Sequence, residues 1–407
     1  MNIQESTPLL NRNNDTIVVI NKIKESKPES PQTKKRILCL DTARGLTIFG
    51  MILVDNQGGD YVIWPLKETS WNGLSTADLI FPSFIFISGF SVALALKNSK
   101  NDIKTWSNII RRTFLLFFIQ CFLNLMAHKF VFDSFRIMGV LQRIALCYFL
   151  SCFSFLCFSK WVQRLFLAAC SIVYLALMYG YPVPGGCGRG NTTPTCNAGA
   201  YFDHSVFHNN MIQPNDPEGL LSTLMAFVTC WGGVEFGRIF TNYFKKHSYA
   251  NTDIVFRWIL VSTLFLIPSI AIACTVIPFN KLIWSFSFAL FTVSMGGYFI
   301  SILYLLIDII PWKSNRTRNL INKSVQPFVW IGMNPITIYS LMIFIEILLM
   351  FYIKVHNEYF WTRSYEVLYL SWLKNPYLAS TVFSLVWFVF YDAIAYLMYR
   401  NKIFIKL

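Results

Sequence analysis

Along this chain, stretches of about 20 apolar residues recur from residue 37 to residue 399, and that is the length a helix needs to cross a bilayer. Ten segments qualify: 37–56, 78–96, 106–126, 138–158, 163–181, 219–241, 255–276, 284–309, 326–352 and 378–399. A chain built this way can satisfy its backbone in lipid only as helices. The expected fold is all-α, a polytopic membrane bundle of about ten transmembrane helices. Only 14% of the residues are charged, against roughly a quarter in soluble domains.

The net charge of +14 has a topological origin, since Lys and Arg accumulate in cytosolic loops. If both termini are cytosolic, only Lys67, Lys129, Arg136, Arg189, Lys281, Lys354, Arg363 and Lys374 of the 35 basic residues fall in lumenal loops. No basic stripe interleaved with aromatics occurs in a soluble segment, so nucleic acid is not an expected partner; the bilayer is. Residues 1–35 are polar and read as a disordered cytosolic tail. Within it, Glu5 to Leu10, "ESTPLL", matches an acidic dileucine sorting pattern, which points to an endosomal or lysosomal membrane.

The longest lumenal loop, 182–216, is rich in Gly and Pro. In an oxidising compartment Cys187 and Cys196 are expected to form a disulfide. Between them, Asn191-Thr192-Thr193 is an N-glycosylation sequon. The other cysteines lie mostly in apolar runs, and no metal-ligand spacing appears.

Ionisable groups inside spans are costly and either pair or line polar cavities. Asp41/Arg44 and Glu235/Arg238 are each three apart on a helix face, and Arg143 follows Gln142. These arginines read equally well as ion-pair braces or as a phosphate-binding set, because the guanidinium fork suits phosphate. At the lumenal mouth, "VDNQGG" ends the first span and "KETSWNG" leads into the second. Asp55, Asn56, Glu68, Asn72 and Asp78 are thus gathered at adjacent helix ends. Glycines 58 and 59 permit close backbone approach, and a carboxylate in a partly dry site can serve as a general base.

Long motifs carry a resemblance. "LDTARGLTIFGMILVDNQGG", "WPLKETSWNGLSTADLIFPSFIFISG", "GVLQRIALCYF", "DPEGLLSTLMAFVTCWGGVEFGRI" and "WIGMNPITIYSL" resemble, in order, the heparan-α-glucosaminide N-acetyltransferase family. The likeness runs from about Arg36 to Leu407, with 36–407 as the acyltransferase-like domain. It implies transfer of an acetyl group from cytosolic acetyl-CoA to the amine of a terminal glucosamine in the lysosomal lumen. The chain resembles shorter, ten-span members that lack an extra lumenal domain.

By that resemblance Asn56 matches the catalytic asparagine, and Asp55, Trp71, Asn72 and Asp78 fall in substrate-binding motifs. Arg44, Arg143 and Arg238 match motif arginines and are candidates for CoA phosphates or for scaffolding. The chain departs from the pattern at Glu68, which stands where the family has its catalytic histidine. Three readings follow. Glu68 is a substitute base; or another lumenal histidine (His128, His204, His208 or His356) enters the site, with His204 and His208 leading; or the chain has lost transferase activity and acts as a carrier or transporter. Whether the chain forms a homodimer is left open.

Overall fold

The computed structural model describes residues 37–133, 135–208, 210–211, 216–244, 252–309 and 315–405. The polar stretch 1–35, with its dileucine pattern, lies outside the described residues. In chain order the helices are α1 (Leu38–Asp55), α2 (Ile80–Leu96), α3 (Ile103–Ala127), α4 (Val140–Cys157), α5 (Lys160–Leu175), α6 (Ala198–Phe207), α7 (Leu220–Phe244), α8 (Thr252–Thr275), α9 (Phe286–Tyr304), α10 (Asn315–Met333), α11 (Pro335–Ile347), α12 (Phe360–Tyr365), α13 (Ser371–Leu373) and α14 (Pro376–Arg400). A two-residue hairpin, Lys354–Val355 against Glu358–Tyr359, is the only sheet among the described residues.

Nine of the described helices are long and apolar enough to cross a membrane. Two of the ten expected spans take a different form. The first folds as α1 but falls outside those nine, because Asp41, Arg44 and Asp55 give its 18 residues three charges. The expected span 326–352 is broken: α10 ends at Met333, Asn334 leaves the helical region at φ −132° and ψ 49°, and α11 starts at Pro335. A residue before proline is sterically pushed out of the α region, so the Asn334-Pro335 pair makes this break. Asn334 is then tied to the C-terminal segment. Its Nδ2 donates to the Ile403 carbonyl at 3.0 Å, and Ile405 N–H donates to its Oδ1 at 2.9 Å.

Two reciprocal glycine crossings set the core. Between α1 and α10, any Cβ at Gly45 would overlap the Phe328 backbone carbonyl, and any Cβ at Gly332 would overlap that of Asp41. Between α2 and α7 the same holds for Gly89 against Cys230 and Gly233 against Phe86. Lipid offers little hydrophobic drive for helix pairing, so close van der Waals approach at small residues supplies the association. The α1 N-terminus is capped from another helix run, where the Asp308 carboxylate accepts the Cys39 N–H at 3.1 Å. A carboxylate there also complements the positive end of the helix dipole.

Candidate active site

The end of the bundle bearing residues 57–77 is the one that charge asymmetry assigns to the lumen. There, Asp78 organises the segment that carries Glu68. Its Oδ2 accepts from the Thr69 hydroxyl at 2.9 Å and from Ser75 N–H and hydroxyl at 2.9 and 3.0 Å. Asp78 is fully buried and works as a brace for the loop. Gly73, at φ +132°, donates its N–H to the Phe279 carbonyl at 2.9 Å; an L side chain rarely adopts that φ. The Asn72 side chain accepts from Asn280 Nδ2 at 3.0 Å, and the Trp71 indole N–H donates to the Thr192 carbonyl at 2.9 Å. These bonds clamp the loop against residues 276–285 and against the loop closed by the Cys187–Cys196 disulfide.

The clamp brings Lys281 to Glu68. The two side chains form an ion pair at the rim of a cavity of about 140 Å³, lined also by Asp55, Glu218, Phe81 and Tyr339. Asp55 opens into this cavity, and Glu68, Lys281 and Glu218 are near enough to act on it electrostatically. Arg136 is held by Asp216, with Nη2 to Oδ1 at 2.6 Å, and by Glu218. Three carboxyl groups thus line the cavity beside Lys281 and near Arg136, giving it an acidic lining.

At the opposite end lies a second cavity of about 320 Å³, lined by Arg44, Arg112, Ser88, Ser91, Gly332 and Ile405 among others. Arg44 is held by Asp41 at 3.0 Å and by the Ser91 hydroxyl at 2.6 Å. Arg112 lies over the Tyr148 ring at 4.5 Å, and its Nε is buried without a hydrogen-bond partner.

Between the cavities is an apolar neck with no volume that a water could occupy. It shares Met51, Val140 and Tyr339 with the lumenal cavity and Phe84, Ile144 and Ile336 with the cytosolic one. One stripe of α1 lines the whole path: Arg44, Ile48, Met51 and Asp55. Those spacings of four, three and four are one face of a helix.

Other sequence candidates stand elsewhere. Asn56 is rotated about 100° from Asp55 by the helix geometry and lines neither cavity. It is fully buried, its amide atoms have no hydrogen-bond partner, and it lies beside the Tyr391 hydroxyl. Gly58 and Gly59 pack against the Tyr365 ring, so their close approach is to an aromatic side chain. Arg143 is fully buried, donates to the Gly219 carbonyl at 3.3 Å and to the Ser222 hydroxyl, and lies over Trp284. Arg238 pairs with Glu235 at 2.7 Å and donates to Gln163 at 2.6 Å. Both brace helices and line neither cavity. His204, with His128, His208 and His356, is exposed and outside the lumenal cavity. Asn191 is half-buried, its side chain accepting from Thr193 N–H at 3.0 Å.

Lys281, Glu218, Tyr339 and Arg112 were not singled out from the sequence. Lys281 had a signal: it is an isolated cation in a ten-residue link between two apolar helices.

In the lumenal loop, Asp203 accepts the Leu220 N–H at 2.8 Å. Burial pushes its carboxyl up to about 6 from 3.8; the Leu220 N–H opposes this, while nearby Asp216 adds to it. The folded state therefore binds the proton more tightly than the unfolded chain. Stability from this group is full below about pH 4 and is lost as pH rises through 6, a total of about 3 kcal/mol. Roughly half of that falls between pH 5 and 7.5. Thermal unfolding across this range should show the loss in the parent chain and a flatter profile in Asp203→Asn.

The family model described as "Heparan-alpha-glucosaminide N-acetyltransferase, catalytic" matches residues 36–263. Heparan-alpha-glucosaminide N-acetyltransferase of Mus musculus is 30% identical over 436 residues, covering 93% of this chain and 62% of that protein. The Homo sapiens protein of the same name is 28% identical over 432 residues, covering 91% and 60%. The chain thus spans about three fifths of the length of these curated relatives. With a catalytic-domain match over more than half its length, laid on a helical membrane bundle, the chain belongs to the heparan-alpha-glucosaminide N-acetyltransferase family.

Proposed function

We propose that this chain is an active transmembrane acetyltransferase. It takes an acetyl group from acetyl-CoA at the cytosolic cavity and places it on the amine of a glucosamine-like amino sugar at the lumenal cavity, in a lysosomal membrane. The observation that carries this reading is the pair of cavities of opposite character joined end to end by one apolar neck. Two arginines and two serines at the cytosolic cavity suit phosphate oxygens. An acidic lumenal cavity suits a protonated amine.

The chemistry then divides among residues in place. An acceptor ammonium must lose a proton before it can attack a thioester carbonyl. Glu68 stands in the lumenal cavity as the base, paired with Lys281 until an acceptor's ammonium takes that place. Asp55 and Glu218 draw the ammonium in and orient it. Tyr339, which lines both neck and cavity, is the residue there that carries a hydroxyl able to donate to an oxyanion as the carbonyl emerges. Glu68 is the base rather than a lumenal histidine because the four lumenal histidines lie outside the cavity. The neck has no room even for a water as it stands, so it must part to pass the acetyl group, and its apolar walls keep water from the thioester meanwhile.

The test supplies radiolabelled acetyl-CoA and free glucosamine to membranes bearing the chain. Labelled N-acetylglucosamine is expected. Arg112→Ala is expected to raise the KM for acetyl-CoA about tenfold, the loss of about 1.4 kcal/mol of binding, while kcat stays within about twofold. No labelled product in membranes that hold the folded chain would rule the reading out.

A further inference from the structure

Lys281 is a primary amine held against the proposed base. Its side chain is 12% exposed, it lines the lumenal cavity, and its ammonium sits on Glu68, in the place the acceptor's ammonium must take. It shares that cavity with Met51, Val140 and Tyr339, the three residues through which the cavity meets the neck. It also has a second seat, Asp78 Oδ1, which is 3.9 Å away, buried and without a hydrogen-bond partner. The remaining lumenal lysines, Lys67, Lys129, Lys354 and Lys374, are exposed and line neither cavity.

We propose that Lys281 is a self-acetylation site, modified on Nζ by the acetyl thioester when no acceptor occupies the lumenal cavity. This rests on the transferase reading above. Glu68 takes one proton from the ammonium. The neutral Nζ attacks the thioester carbonyl, forming the C–N bond, and the C–S bond breaks. The departing thiolate takes the second proton from nitrogen, and Glu68 later releases the first to the lumen. The product is an uncharged amide, stable to water, so the step ends there.

The consequence is electrostatic. Acetyl-Lys281 can no longer neutralise Glu68 or reach toward Asp78, and its bulk fills part of the acceptor's space. A chain supplied with donor alone should therefore silence itself, and a bound amino sugar should protect it by occupying Glu68.

The purified full-length chain in detergent is incubated with acetyl-CoA carrying ¹³C-acetyl, with and without glucosamine, and its peptides are read by mass spectrometry. In parallel, acetylation of glucosamine is measured. Without acceptor, label at Lys281 is expected to exceed label at exposed Lys67 by about tenfold or more. In Glu68→Gln it should fall on the order of a hundredfold, the contribution of a general base, while the exposed lysines are unchanged. Glucosamine should suppress the Lys281 label. Turnover of glucosamine with Lys281 unlabelled would overturn the proposal and leave the transferase reading standing. Equal label at all lysines, independent of Glu68, would reduce the effect to chemical acetylation and overturn it too. Neither turnover nor label would sink both readings.

Discussion

Glu68→Gln is expected to lower the rate of acetyl transfer by on the order of 10²- to 10⁴-fold, the span over which a positioned base contributes, or about 3 to 5 kcal/mol of barrier. Glutamine keeps the size of the side chain and a hydrogen-bonding oxygen, yet it cannot take a proton. The loss should appear in kcat, since the cavity proposed for the donor lies at the other end of the neck from this residue. Folding should be little affected: the Glu68 side chain is 46% exposed, and its partner is Lys281 at a cavity rim. The loop is anchored through Asp78, Asn72, Gly73 and Trp71, which the substitution leaves intact. Glu68→His installs the residue that the family resemblance places there and should retain far more activity than glutamine. Equal, full activity in all three forms would move the base elsewhere in the cavity, with Asp55 next in line.

The second large effect concerns packing. Gly45→Val should destabilise the bundle by about 3 kcal/mol, the upper part of the usual cost of overpacking, with a fall in melting temperature of roughly 5 °C. The Cβ would meet the Phe328 backbone carbonyl, which a rotamer change cannot move aside. The helices must separate, and α1 carries the stripe from Arg44 to Asp55 that lines both cavities. Activity should therefore fall along with stability. Gly180→Ala is the control, because nothing lies within 4 Å of a Cβ there; it should melt within about a degree of the parent. A Gly45→Val chain as stable as the parent would mean that α1 and α10 do not cross this closely.

Apolar span length made the bundle legible, because lipid leaves the backbone few options. The exceptions had physical causes written in the same residues. α1 reads as a span, yet three charges set it apart from the nine apolar helices, and they are the charges that line or brace the path. The Asn334-Pro335 pair divided the ninth span and freed Asn334 to hold the C-terminal segment. Glu68 could be placed at a mouth from sequence, since a short loop between two spans has nowhere else to go.

What could not be read was which neighbours converge on Glu68. Lys281 and Glu218 reach it from loops about 210 and 150 residues further along the chain, and only the packing of α2, α7 and α9 brings those loops together. The choice between Asp55 and Asn56 lay nearer the surface of the sequence. Arg44, Ile48, Met51 and Asp55 share one helical face, and that periodicity takes Asp55 to the cavity and turns Asn56 into the bundle. For Arg143 and Arg238 the motifs leave phosphate binding and helix bracing open, because an arginine of either kind presents the same letter; both lie outside the two cavities. Their partners, Ser222 and Gln163, come from other helices.

The most direct test of acetyl passage through the bundle is a sided assay. The chain is reconstituted into sealed vesicles with its cytosolic face outward, with acetyl-CoA outside and glucosamine trapped within. N-acetylglucosamine should accumulate inside while CoA stays outside, and the accumulation should stop in Glu68→Gln. Product formed only when donor and acceptor are on the same side of the membrane would contradict a path from the cytosolic cavity through the neck to the lumenal one.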